Sequence, residues 1–271
     1  MAPQMSVLAD DLMAEGEAVL SMVASLAPAD FDRPTPAEGW AIRDQLSHLA
    51  YFDGTQRLAA TDPERFMAEA SQLIAQGENF PDFVAARYRE MNTAELVGWF
   101  TSERTQLVTT FAGMDSRARL PWYGPPMSAA SAVSARIMET WAHGQDIADA
   151  LSITRTPTDR LYHIAHIGVA TFGFTHQLHG LPIPGDAVRV ELLAPSGVTW
   201  TFGPEGAANL VKGDALSFCL VVTQRRHLSD TGLHVTGPVA HQWMSIAQAY
   251  AGAPGKGRAP GISAQQRGSR P

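Results

Sequence analysis

The stretch Ala129-Ala-Ser-Ala-Val-Ser-Ala-Arg136-Ile-Met-Glu139-Thr-Trp-Ala-His143-Gly-Gln-Asp146-Ile-Ala-Asp-Ala-Leu151 contains neither proline nor lysine. Its alanine-rich composition predicts one long helix. Glu139 and His143 stand four residues apart, so both side chains leave the same face, and Asp146 continues that stripe. Ile137, Met138, Trp141 and Ile147 flank it and predict burial. A buried carboxylate without a partner is costly, so a cation or a hydrogen-bond donor is expected beside Glu139.

Upstream, a second helix is predicted from about Ile42 to Ala60, with Trp40, Asp44 and His48 at four-residue steps and Tyr51 and Thr55 continuing the row. Two histidines and one carboxylate drawn from two facing helices can build a metal site inside a bundle. Zn²⁺ suits such a set, with the remaining positions left to water or substrate, and non-haem iron suits it too. The same stripes also read as solvated faces carrying ordinary helix pairs, and an E-x-x-x-H spacing alone is a weak signal.

Further outward, Ser6 is placed as the cap of a helix reaching about Leu26, before Pro34 and Pro36 break the chain. Asp62-Pro63 reads as a helix start. Thr93 is expected to cap a helix to about Phe111 that Gly113 ends, and residues 120–126 read as an ordered loop. Thr158 is expected to cap one more helix, running to about His179.

The period changes after Leu181-Pro-Ile-Pro-Gly185. Val188, Val190 and Leu192 alternate, Ser196-Gly197 turns, and Val198 to Phe202 returns, which predicts a hairpin. A helix from about Asp214 to Thr223, a strand near His234-Val-Thr236 and a helix from Pro238 to Tyr250 follow. The expectation is therefore an α+β chain: a helical domain over 1–181, a small α/β domain over 182–251, and a basic solvated tail over 252–271.

The chain has 271 residues, 45% of them hydrophobic, and a formal net charge of −7. That sign argues against nucleic acid as a partner. The single cysteine, Cys219, excludes a disulfide framework and fits a reducing compartment, most simply the cytoplasm. Its neighbours Phe218, Leu220 and Val221 predict packing rather than reactivity. The first basic residue is Arg33, so no secretory leader is expected. The longest charge-free stretch, Leu161 to Gly185, carries His163, His166, His176 and His179, which is wrong for a bilayer span, so no membrane partner is expected. No carboxylate on that stretch completes a second metal site from its histidines. Phosphate loops, dinucleotide fingerprints and the G-x-S-x-G elbow are absent from the sequence. A monomer or homodimer is expected.

The segment Ala37-Glu-Gly-Trp40-Ala-Ile-Arg-Asp44-Gln-Leu-Ser-His48-Leu resembles the GW, D and H segment of the DinB-like metal-binding superfamily. Arg136-Ile-Met-Glu139-Thr-Trp-Ala-His143-Gly-Gln-Asp146 resembles that superfamily's R, E, H and D segment. The branch resembled, up to about residue 251, is the actinobacterial mycothiol-dependent maleylpyruvate isomerase group. Two lysines against 18 arginines, the bias of a GC-rich genome, agree with such a source.

The resemblance implies a DinB-like four-helix bundle followed by a domain similar to sterol carrier proteins. It implies that His48, Glu139 and His143 bind a divalent metal, zinc foremost, with iron and nickel also compatible. It further implies mycothiol as the thiol cofactor, and a transferase or isomerase acting on a small electrophilic metabolite. The two differ only in whether the sulfur stays in the product. Metal-dependent hydrolysis or lysis without a thiol, and non-catalytic ligand binding, remain the alternatives. Trp40, Tyr51 and Trp122 are the candidate cofactor-contacting rings, and Asp44 and Asp146 the candidate acceptors that orient the histidines. Leu220-Val-Val-Thr-Gln-Arg225-Arg226 resembles a segment where the group carries a glycine followed by a functional arginine. Gln224 stands in the glycine's place, and Arg225 is the candidate catalytic residue, binding a carboxylate.

Overall fold

Residues 4–77 and 80–261 are described by the computed structural model. The chain divides into two compact units, Met1–Thr154 and Arg155–Pro271.

Four long helices build the first unit: α1 (Met5–Val23), α2 (Ile42–Thr61), α5 (Thr93–Ala112) and α6 (Ala129–Leu151). Two shorter ones, α3 (Pro63–Ile74) and α4 (Phe80–Arg87), lie against α2. α1 and α2 each pack on both α5 and α6, the arrangement of a four-helix bundle. Val19, Phe31, Ile42, Leu46, Leu49, Leu96, Phe100 and Ile147 share one buried cluster. Each such large side chain contributes about 1.5–3 kcal/mol on burial.

Local chemistry sets the helix starts. Asp62 accepts from the Arg65 backbone N–H at 3.1 Å with Pro63 at the first helical position, as the sequence predicts. Ser128 accepts from the Ser131 N–H at 3.1 Å and starts α6 where expected. Two expected caps shift by one or two residues: Asn92 rather than Thr93 caps α5, because its side chain reaches the Ala94 N–H at 2.8 Å. Ser6 lies inside α1, which begins at Met5.

A polar network crosses the bundle interior. Asp53 on α2 accepts from Arg104 Nε on α5 at 2.7 Å and from Arg136 Nε on α6 at 3.0 Å. Arg104 also donates to the Leu12 carbonyl on α1 and to Thr140 on α6. All four long helices are thereby tied by groups sealed from solvent. A Cβ on Gly16 would come within 3.0 Å of Arg104 Nη1, so the smallest residue stands there.

The second unit holds a mixed sheet of order β4-β3-β5-β6: β3 (Val188–Leu193), β4 (Thr199–Phe202), β5 (Asn209–Asp214) and β6 (His234–Thr236). β3 and β4 form the expected hairpin, with Val190 opposite Phe202 and Leu192 opposite Trp200. β5 then pairs with β3 in parallel. Gly203 makes that departure possible: its φ is +75°, and a Cβ would lie 2.2 Å from the Val188 carbonyl oxygen. Helix α9 (Ala215–Val222), capped by Asp214, and α10 (Pro238–Ile246) cover the sheet.

Three expectations change here. The helix expected from Thr158 to His179 is two helices, α7 (Leu161–Ala170) and α8 (Phe172–Leu178). α7 packs on α9, where a Cβ on Gly168 would already touch Val222 at 2.8 Å, so the units part at Thr154 rather than near residue 182. Residues 252–261, expected as solvated tail, are tied down: the Gly255 N–H donates to Gln248 at 2.8 Å and the Gly261 N–H to Asp230 at 2.9 Å. The rest of that tail, 262–271, lies outside the described residues.

A two-stranded ribbon, β1 (Arg119–Leu120) with β2 (Met127–Ser128), closes the 121–126 loop before α6. No described helix is long and apolar enough to cross a membrane.

Candidate metal centre

α2 supplies His48, and α6 supplies Glu139 and His143 one turn apart. Glu139 Oε2 lies 3.1 Å from His143 Nε2 and 3.6 Å from His48 Nε2. One ligand atom from each of the three falls within 4.8 Å of the others, and among the described residues no other group of such side chains does so. Two donors at about 2.1 Å from one tetrahedral ion are about 3.4 Å apart. The observed spacings bracket that value, so the trio fits a single divalent cation.

The electrostatics agree with that fit. Burial and then the proximity of His143 push His48 down to about 3, so its ring is neutral at pH 7. Burial alone would raise the Glu139 carboxyl; hydrogen bonds from His143 and His48 reverse this and hold it well below the usual range. A neutral imidazole and an anionic carboxylate are the forms that ligate metal.

Aromatic rings wall the trio. The Trp40 indole stacks on the His143 ring at 5.8 Å between centroids and an angle of 18°, and lies 5.3 Å from His48. Its Nε1–H donates to Asp82 on α4 at 2.7 Å, which fixes the indole's orientation. Phe52, one turn after His48, lies 4.5 Å from that imidazole. Tyr51 and Trp122 are each one ring removed: both contact Phe52, and Trp122 stacks on Phe66 at 5.9 Å. Trp40 is thus the expected ring that touches the histidines directly.

The two aspartates do not orient the histidines. Asp44 serves the start of α2, accepting from the Ala41 N–H at 2.8 Å, and pairs with Arg89 at 2.9 Å. Asp146 is fully buried, yet the imidazole nitrogens with hydrogen-bond partners meet Gln45 and Glu139 instead. Gln45 Oε1 is the partner of His143 Nδ1. Gln45 and Phe52 escaped the sequence reading, although both occupy the His48 face at steps of three and four residues. An open groove lined by Asp32, Trp40, Arg43, Asp44, Arg89 and Met91 adjoins Trp40, but none of the trio lines it.

Arg225 belongs to the second unit, just past α9, and donates to the Thr223 carbonyl at 2.7 Å. Gln224 has φ +59°, the left-handed region that favours glycine. Its side chain accepts from the Tyr250 hydroxyl at 2.6 Å and donates to the Ala247 carbonyl at 3.2 Å. Cys219 is buried, and burial pushes its thiol up, as expected of a packed residue.

A bundle that gathers two histidines and a glutamate from α2 and α6 is a helical domain of the DinB-like type. The chain belongs to the mycothiol maleylpyruvate isomerase N-terminal domain family, whose sequence profile matches residues 12–148. Two Mycobacterium tuberculosis proteins, both described as uncharacterized (MT0041 of strain CDC 1551 / Oshkosh and Rv0036c of strain ATCC 25618 / H37Rv), are 42% identical to it over 248 residues. The matches cover 92% of this chain and 96% of each relative. Crystal structures of mycothiol-dependent maleylpyruvate isomerase share the fold. A histidine-to-alanine mutant matches with TM-score 0.58 at 15% identity, and a second structure with TM-score 0.55 at 13%. Each alignment covers 87% of this chain and 95% of the other.

Proposed function

We propose that this chain is a metal-dependent enzyme that uses a small thiol, mycothiol, in an isomerase or transferase reaction on a small electrophilic metabolite. The observation that carries the reading is the convergence of neutral His48, anionic Glu139 and His143 within one coordination sphere. Family membership supports mycothiol as the thiol and isomerisation as one outcome. Bound by this trio, a divalent cation, with zinc the first candidate, supplies the positive charge that favours the deprotonated form of a thiol.

The chain's own residues supply the rest. His48 and His143 offer neutral nitrogen donors, and Glu139 offsets one unit of the cation's charge. One further anion, such as a thiolate, brings the site to neutrality, which a dry wall of rings favours. Trp40 and Phe52 keep water from the two imidazoles, while Tyr51 and Trp122 extend that wall toward the thiol or substrate. Arg225 is assigned a carboxylate of substrate or thiol, on its place after Gln224. When a thiolate sulfur adds to one carbon of a double bond conjugated with a carbonyl, the π pair moves onto that carbonyl; rotation and return of the pair expel the thiolate and give an isomer, whereas protonation of the neighbouring carbon by the proton the thiol released leaves a thioether.

Cobalt substitution tests the reading. Adding mycothiol to the Co²⁺-loaded protein is expected to bring in a sulfur-to-cobalt charge-transfer band. An unchanged spectrum with cobalt bound would favour metal-dependent hydrolysis or lysis instead.

A further inference from the structure

We infer that Gln45 is a positioning residue that sets both which ring nitrogen of His143 bears the hydrogen and the ring stacked on it. A single chain of hydrogen bonds with a fixed direction carries this. It begins at the Trp40 backbone carbonyl, which can only accept, and which receives both the Thr35 N–H at 2.8 Å and the Thr35 hydroxyl at 2.9 Å. With its proton committed there, Thr35 Oγ1 can only accept from Gln45 Nε2, 2.8 Å away. The Gln45 amide is thereby oriented, and its Oε1 faces His143 Nδ1. A carbonyl oxygen accepts, so Nδ1 must carry the proton.

Two consequences follow for the centre. Nδ1 being protonated, the neutral ring offers its lone pair from Nε2, the atom that faces Glu139 at 3.1 Å. The chain of bonds also ends where it began: Trp40, whose carbonyl anchors Thr35, lays its indole over the same imidazole. Gln45 thus holds the edge of His143 directly and its face through Thr35. Gln45 is fully buried, and its amide is neutral where a carboxylate is a frequent partner of ligating histidines.

The inference rests on the proposed metal-binding role of the trio, and two readouts separate the two claims. In the first, nitrogen-15 NMR of the metal-free wild-type protein reads the His143 ring; a proton on Nδ1 is expected, and an unprotonated Nδ1 overturns the inference whether or not metal binds. In the second, Zn²⁺ affinity is measured by competition with a chromophoric chelator. Gln45→Leu is expected to weaken binding about 10–100-fold. Gln45→Glu, which keeps an acceptor for Nδ1 but cannot donate to Thr35, and Thr35→Val, which removes the same link from the other side, are both expected to fall between Gln45→Leu and wild type. Equal Zn²⁺ affinity in wild type and Gln45→Leu overturns the inference; no Zn²⁺ binding by wild type overturns the metal reading instead. Should Gln45→Leu fail to fold, wild-type NMR and Thr35→Val decide.

Discussion

Arg104 on α5 and Asp53 on α2 meet at 2.7 Å with both side chains sealed from solvent. Arg136 shares the same carboxylate at 2.9 Å. Removing one partner of a buried ion pair costs about 3–5 kcal/mol, because the remaining charge is left uncompensated. Asp53→Leu strands two guanidinium groups and is expected to lower Tm by roughly 10 °C. The triple variant Asp53→Leu, Arg104→Met, Arg136→Met is expected to recover most of that loss. Calorimetry checks both; a triple variant no better than Asp53→Leu would show that the network cannot be replaced by apolar packing.

The buried His48 predicts an acid sensitivity. Its value falls from 6.5 unfolded to about 3 folded. Above pH 6.5 both states are neutral and no difference arises. Below it the unfolded chain takes up a proton that the folded chain refuses, so stability declines as pH falls from 6.5 toward 3. One such group contributes a slope of about 1.4 kcal/mol per pH unit. Denaturant titrations of the metal-free protein between pH 7 and 4 are expected to show a steeper decline than the same series on His48→Phe. Parallel slopes would contradict the assignment.

Gln224 sets two effects against each other. Glycine there would relieve about 1–2 kcal/mol of left-handed strain but lose the bonds to Tyr250, Ala247 and the Gly257 N–H, each worth about 1 kcal/mol. The lost bonds outweigh the relief, so Gln224→Gly is expected to cost about 1–2 kcal/mol. Gln224→Ala keeps the strain, loses the same three bonds, and is expected to cost about 3 kcal/mol. Chemical denaturation ranks the three; equal stabilities of the alanine and glycine variants would show that the backbone carries no strain.

Gly168 tests where the first unit ends. A Cβ there would stand 2.8 Å from Val222 and 3.1 Å from Phe218, both on or against α9. Gly168→Ala is expected to cost about 1–3 kcal/mol through overpacking. In hydrogen exchange on the full chain, α9 amides should lose protection while those of α5 keep it. Loss across α5 instead would place α7 with the bundle.

Much of the fold was legible because strong local signals agreed with tertiary packing. α6 begins and ends where its composition places it, and Asp62-Pro63 starts α3 as read. α4 carries few such signals and was not foreseen, while Thr171 interrupts a stretch whose apolar pattern runs on. β5 escaped because its parallel pairing with β3 is non-local and Gly213 and Lys212 dilute its pattern. At the centre, the spacing of Glu139 and His143 and the row containing His48 were readable from helix geometry. The partner of His143 was not: Asp44 and Gln45 are adjacent, and only the packed structure shows that Asp44 turns to Arg89 and the helix start. Likewise, which rings touch the histidines depends on tertiary contact, as Phe52 and Trp122 illustrate.

Titration of Zn²⁺ into metal-free protein by calorimetry, on wild type and Glu139→Ala side by side, tests the central claim most directly. One equivalent is expected to bind wild type, and the variant, lacking the only anion of the trio, is expected to bind at least 100-fold more weakly at unchanged fold. Equal binding by the two proteins, or no binding by wild type, would contradict a metal centre at His48, Glu139 and His143.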